Sequence, residues 1–166
     1  MQVSLTWHPP IVLGPKASFA KNFSRETFDK HVTDKPGIYI FARRHGKNLI
    51  PIYIGKAPKG LRKRLKQHLN NHNLIKALET HKSGSRILLV ATVGAVTQSS
   101  IEKKVALAER AHIEYAMTSG YDLINVQGTK TPSSTVQIVG TKKHDHPFPR
   151  VMHVRRATHP PSAAKG

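Results

Sequence analysis

The sequence predicts a small α/β protein of the α+β type, an antiparallel sheet flanked by helices, and three observations predict it. Two β-branched and aromatic runs, Gly37 to Ala42 (GIYIFA) and Ile50 to Gly55 (IPIYIG), lie on either side of a polar loop, Arg43 to Asn48, which is the pattern of a β-hairpin. A third run, Arg86 to Val93 (RILLVATV), is too short and too rich in β-branched residues for a helix, and is expected to join the hairpin as a buried third strand. Around these runs apolar residues recur at helical spacing, so helices alternate with strands along the chain. The 166 residues fit one ordinary domain with a short appendage. With 38% hydrophobic residues there is enough apolar side chain for a buried core, which excludes an intrinsically disordered chain.

Taken in order, residues 1 to 23 read as an irregular arm interrupted by Pro9, Pro10 and Pro15, with one extended stretch at Val3 to Trp7. Ser24 followed by Glu26, Phe28 and Val32 predicts a short helix that Asp34, Lys35, Pro36 and Gly37 terminate, since a proline disfavours helix at the residue before it. Pro51 demotes the start of the hairpin's second strand. From Lys59 the period changes: Leu61, Leu65 and Leu69 recur every four residues with Arg62, Lys63 and Lys66 on the other side, an amphipathic helix. A second short helix is expected over about Leu74 to Thr80, closed by Gly84. Ser99 with Glu102 three residues later is a capping-box pattern, and Ile101, Val105, Ala108, His112, Ile113 and Ala116 then trace one face of a long helix ending before Gly120. Leu123 to Val126 reads as a short extended segment, Val136 to Val139 and Val151 to Val154 as a further pair of strands, and residues 157–166 as a disordered tail.

Charge narrows the function. The 27 Lys and Arg against 9 Asp and Glu give a formal net charge of +18, which favours a polyanionic partner, nucleic acid first. The absence of Cys excludes a disulfide framework, a thiol nucleophile, a zinc ribbon and a Cys-ligated iron–sulfur cluster. Met1 to Ala20 makes a poor secretory signal, and the longest apolar run, Ile87 to Ala91, is far too short to span a bilayer, so a cytoplasmic location is expected. The charge is also concentrated. From Lys35 to Leu78 there is no acidic side chain, yet eleven Lys and Arg fall there, among them Arg43, Arg44, Lys47, Lys56, Lys59, Arg62, Lys63 and Lys66. Placed on a hairpin tip and the adjoining helix, these would form one basic surface able to replace counterions along a phosphate backbone; the plainer alternative is a solvated face.

Two residues break the amphipathic logic of the helix from Lys59. At about 100° per residue Arg64 and His68 fall beside Leu61 and Leu65 rather than with the lysines. An arginine can lay its stem over a core edge and a histidine can be a satisfied core residue, so the pair alone decides little. On the later helix, Glu109 lies between Val105 and Ile113 in the apolar stripe. Burying that carboxylate unpaired would cost several kcal/mol, so either Arg64 pairs with it or a metal does. The loose cluster His144, His146, His153 and His159 matches no standard zinc spacing. Trp7, Phe19 and Phe23 could stack on bases, although packing over the sheet is the expected outcome.

Gly37-Ile38-Tyr39, Tyr53-Ile54-Gly55 with its tyrosine fourteen positions after Tyr39, Leu61-x-x-Arg64-x-x-x-His68, Glu109-x-x-x-Ile113 and Leu123-Ile124-Asn125 together resemble the GIY-YIG nuclease superfamily in order and in placement. The resemblance covers about residues 36 to 126 and implies a three-stranded antiparallel sheet flanked by helices, cleaving phosphodiesters with one divalent metal. It also implies a site lined by Tyr39, Tyr53, Arg64, Glu109 and Asn125, with His68 at a position several members fill with histidine. The chemistry of these side chains agrees. Glu109 can hold Mg²⁺ (or Mn²⁺) if waters and a substrate phosphate supply the other ligands. Arg64 offers a fixed fork of donors to a phosphate oxygen. Tyr39 is the better general base if Lys56 and the metal lower its pKa from about 10, with Tyr53 or His68 orienting or relaying.

The expected organisation is therefore an amino-terminal arm and short helix over 1–34, a GIY-YIG core over 35–127, a carboxyl-terminal β extension over 128–156 and a tail over 157–166. The expected activity is Mg-dependent hydrolysis of double-stranded DNA by a restriction-like enzyme; a repair or mobile-element nuclease would look the same. The alternatives are a noncatalytic basic nucleic-acid-binding module of the same fold, and an RNA-cleaving nuclease or toxin.

Overall fold

The computed structural model describes residues 2–94, 97–125, 134–139, 148, 149 and 151–154. The fold is built on β3 (Gly37–His45), β4 (Asn48–Ala57) and β5 (Ser85–Val93), with β3 between the other two and antiparallel to both. The hairpin is longer than its apolar residues announce. Pairing runs on through Arg43 with Ile50, Arg44 with Leu49 and His45 with Asn48, so the connection shrinks to Gly46 and Lys47. Cross-strand pairing, not hydrophobicity, decides the strand's length here. Pro51 lies inside β4, where the register shifts opposite Phe41 and Ala42, an irregularity that accommodates a residue without an N–H.

The first fourteen residues are not an irregular arm. β1 (Gln2–Trp7) and β2 (Ile11–Gly14) both pair antiparallel with the free side of β5, extending the antiparallel sheet to five strands. Their prolines, Pro9 and Pro10, fall in the connection and leave both ladders intact. β6 (Ser134–Val139) then runs parallel to β1, and β7 (Val151–Val154) pairs antiparallel with β6, which gives the expected pair of strands. The tail over 157–166 and three of the four clustered histidines lie outside the described residues, as does the side chain of His153.

Helices cover both faces. α1 (Lys16–Asn22), a helix where an irregular arm was expected, and α2 (Arg25–His31), capped by Ser24 Oγ accepting from Thr27 N, lie with α3 (Leu61–His68) and α4 (His72–Thr80) on one side. Here Tyr39, Phe41, Ile52, Leu88 and Val90 meet Phe19, Phe23, Phe28, Leu61, Leu65, Leu74 and Leu78. Phe19 and Phe23 are thus core residues. The other face carries α5 (Gln98–Thr118), whose Val105, Ala108, Ala111 and Ala116 pack on Ile38, Ile40, Ile54, Leu89, Ala91 and Trp7. Because successive residues of β3 point to opposite faces and both are covered, its run is continuously apolar instead of alternating. The cap of α5 is Thr97, whose hydroxyl accepts from Ser100 N at 3.3 Å, and not Ser99, so Glu102 is an exposed helical residue. Among the described residues no helix is long and apolar enough to cross a membrane.

Candidate active site

The two tripeptides are paired in space before they are paired in chemistry. Tyr39 of β3 stands opposite Gly55 of β4, and its ring lies where a side chain on Gly55 would be, so any Cβ there would overlap the phenol. Gly37 allows an equally close approach of β3 to β5, because a Cβ would run into the Ala91 carbonyl. The glycines of both motifs are therefore steric requirements of the sheet and its tyrosine.

Tyr39 is fully buried. Its hydroxyl meets Nε2 of His68 at 2.5 Å, and Arg64 and Tyr53 also reach it with their side chains. The rings of Tyr39 and Tyr53 stack at 6.1 Å and 19°. Burial holds the Tyr39 phenol well above its usual range and Tyr53 adds to this, while the positive charge of Arg64 pulls the other way and is outweighed. Without a bound metal, Arg64 alone does not make the phenol acidic. His68 is pushed down to about 4 by burial first and by Arg64 second, so at neutral pH it is an uncharged imidazole. With Nε2 unprotonated it accepts the Tyr39 hydroxyl proton, a tautomer assigned from this bond.

The helical geometry that sets Arg64 and His68 apart from the lysines separates them in burial as well. His68 goes under the sheet face, whereas Arg64 stays at the exposed rim and donates from Nη1 to Gln67 Oε1 at 3.1 Å. Gln67 was not anticipated, although a residue three places after Arg64 on a helix is its natural neighbour.

Glu109 reaches in from α5. Its cation is neither Arg64 nor necessarily a metal: Lys56 Nζ lies 2.8 Å from Oε2. Alternation along β4 explains this, since Lys56 follows Ile54 by two and so turns with it toward α5. Lys56 also lines a groove together with Arg64. Asn125 is placed differently. Its amide pairs with the backbone of Ile54, Oδ1 accepting from the N–H at 3.2 Å and Nδ2 donating to the carbonyl at 2.6 Å, while Ile124 N donates to Ile52 O. The segment Leu123 to Asn125 thus lies along the outer edge of β4, and the Asn125 amide does the work of a strand residue.

The acid-free stretch is not free of counter-charges once folded. Arg62 donates to Asp34 at 2.6 Å and to the Val32 carbonyl at 2.8 Å, and Lys66 is paired with Asp29, both acids coming from just before the stretch. Lys66 holds the Asp29 carboxyl below its ordinary range, mainly through their hydrogen bond. Arg62 and Lys66 therefore fasten α3 to α2, which corrects their expected place on an open basic surface. Arg43 donates to the Ser83 carbonyl at 3.0 Å, leaving Arg44 and Lys47 at the exposed hairpin end. Lys59 and Lys63 are exposed beside the groove.

Residues 35–112 match the family model of the GIY-YIG catalytic domain. Residues 35–112 therefore carry a GIY-YIG catalytic domain, which supports membership of the GIY-YIG nuclease superfamily, and a nuclease domain implies a nucleic-acid substrate. No curated protein and no solved structure matches the chain.

Proposed function

We propose that the protein is a divalent-metal-dependent endonuclease acting on double-stranded DNA. The observation that carries the reading is the convergence on one buried hydroxyl: Tyr39 meets His68, Tyr53 and Arg64 at once, while Glu109 pairs with Lys56, which shares a groove with Arg64. Among the described residues no group of three or more His, Asp or Glu side chains could hold a metal. The donor set nevertheless suits Mg²⁺, which is bound through one or two carboxylates with water and phosphate completing the shell. Glu109 already holds a cation, the ammonium of the half-exposed Lys56, whose side chain can swing into solvent. Glu109 would hold the ion, which when bound neutralises phosphate charge and stabilises the departing 3′ oxygen.

The remaining work falls to side chains. Arg64, exposed and held by Gln67, presents its fork to a nonbridging phosphate oxygen, where it offsets the charge that grows in the transition state. Tyr53 is only partly buried while Tyr39 is enclosed, which supports Tyr53 as the tyrosine that meets the attacking water. Beneath it Tyr39 donates to His68 Nε2, so a proton accepted at Tyr53 can be matched by movement of the hydrogen-bonded protons toward the neutral imidazole. Asn125 serves as a positioning residue that fixes β4 beside Tyr53 and Gly55.

The test is incubation of supercoiled plasmid with and without Mg²⁺, with an RNA duplex of matched length in parallel. Nicking or linearisation only with Mg²⁺ and a preference for DNA are expected. Glu109→Gln should abolish cutting with DNA affinity kept or slightly raised, and Arg64→Ala should lower turnover by about two orders of magnitude or more at saturating DNA. Near-wild-type cutting by both variants would leave the noncatalytic module as the better reading.

A further inference from the structure

The groove beside Arg64 is a concave space of about 400 Å³ lined by Lys56, Pro58, Lys59, Lys63, Arg64 and Gln67, four cations and no acid. Two of the four are engaged, Lys56 with Glu109 and Arg64 with Gln67 and Tyr39. Lys59 and Lys63 have no ion pair among the described residues, in contrast to Arg62 and Lys66 of the same helix. The backbone N–H groups of Leu61 and Arg62 at the start of α3 already donate to Lys35 O and Thr33 O. An anion entering the groove is therefore met by the lysine side chains. Bringing two uncompensated ammonium groups to one concavity is unfavourable by itself, and a phosphate oxygen relieves it.

We propose that this groove seats a backbone phosphodiester next to the one being cut on the same nucleic-acid strand, clasped by Lys59 and Lys63. The adjacency follows from Arg64, which lines the groove and also brings its charge to the Tyr39 hydroxyl. The proposal rests on the nuclease reading and divides the basic residues of a single helix by face: Lys63 and Arg64 serve the substrate, Arg62 and Lys66 serve the fold.

The test measures affinity for a short DNA duplex, without divalent metal, across a series of salt concentrations. Lys59→Gln combined with Lys63→Gln should weaken binding and flatten the log–log slope by about one unit, the loss of one neutralised phosphate. Lys66→Gln, which removes a charge already answered by Asp29, should leave the slope parallel to wild type. Lys63→Gln alone gives the same direction with less change should the double variant fold poorly. Parallel slopes for wild type and the Lys59/Lys63 variants, or equal flattening by Lys66→Gln, would overturn the groove. If the wild type cuts plasmid with Mg²⁺ while the slopes are parallel, the groove alone falls; if it neither binds nor cuts DNA, the nuclease reading falls with it.

Discussion

The contact between Tyr39 and His68 makes a pH-dependent contribution to stability whose sign is fixed by burial. The groups facing the imidazole are Tyr39 and Phe41 from β3, Tyr53 from β4 and Arg64 from α3, with no carboxylate among the described residues to favour the charged form. Its pKa is about 4 in the folded protein against 6.5 in an open chain, so between these values the unfolded chain binds the extra proton. The stabilisation is complete above about pH 6.5 and is lost as pH falls toward 4. His68→Gln keeps an acceptor for the Tyr39 hydroxyl and removes the titration. Its melting temperature is expected to fall less than that of wild type between pH 7 and pH 4.5 in parallel thermal scans, and equal declines would show that other groups set the acid limit. The 3.6-residue period is enough to single out His68 and Arg64 from the lysines around them. The partner of Glu109 is not legible in the same way. Lys56 lies in a run of basic residues whose members look alike in sequence, and only the pleat of β4 turns this one toward α5.

Elements were legible in the sequence where one signal served one neighbour. β5, α2 with its Ser24 cap, and α3 carry their period or their cap within their own residues, and they form where these signals put them. The connection between α4 and β5 shows what such signals omit. Arg86, buried at the start of β5, donates from Nε to Leu78 O at 2.7 Å, from Nη1 to Gly84 O at 2.7 Å, and from Nη2 to Lys82 O at 2.9 Å and to the His81 carbonyl. One guanidinium thus closes the carboxyl end of α4 and shapes the turn into β5, where a positive charge also suits the helix dipole. Its partners are backbone carbonyls of an irregular loop, which no residue type announces. Arg86→Lys keeps the charge and loses the fork, so several of these carbonyls, that of buried Leu78 among them, would go unmatched. A loss of about 3 kcal/mol or more is expected in urea denaturation, with the tyrosine cluster intact at low denaturant. A loss below about 1 kcal/mol would mean that the loop is held by other means.

At the scale of the whole molecule, the nuclease domain over residues 35–112 is completed by the chain that precedes it. The order β4-β3-β5 gives β5 two sides to satisfy. β3 covers one, and β1 with β2 covers the other, through Leu5 opposite Val93, Trp7 opposite Ala91, Ile11 opposite Leu88 and Val12 opposite Ile87. These strands were hard to read because they are short, six and four residues, and because three prolines punctuate the segment. A period of two over so few positions is barely distinguishable from chance, whereas the structure shows Val3, Leu5, Trp7, Ile11 and Leu13 all buried on the inward positions of the two strands. The consequence is testable by removing residues 1–14. An appended arm would leave a folded nuclease domain with altered substrate preference. Strands integral to the sheet would not, because five buried apolar side chains at roughly 2 kcal/mol each amount to about 10 kcal/mol, as large as the whole stability of a typical domain. Their loss also leaves the backbone groups of β5 unpaired along an apolar edge, a template for aggregation. The truncated chain is expected to be insoluble or to lack cooperative unfolding by circular dichroism, and to cut no DNA. Leu5→Asp should reproduce the defect in the full-length chain by placing a charge opposite Val93, without shortening the chain at all. A truncated protein that melts cooperatively near the wild-type temperature would show that β3, β4 and β5 with their helices form a sufficient core, and that the first two strands merely dress its edge.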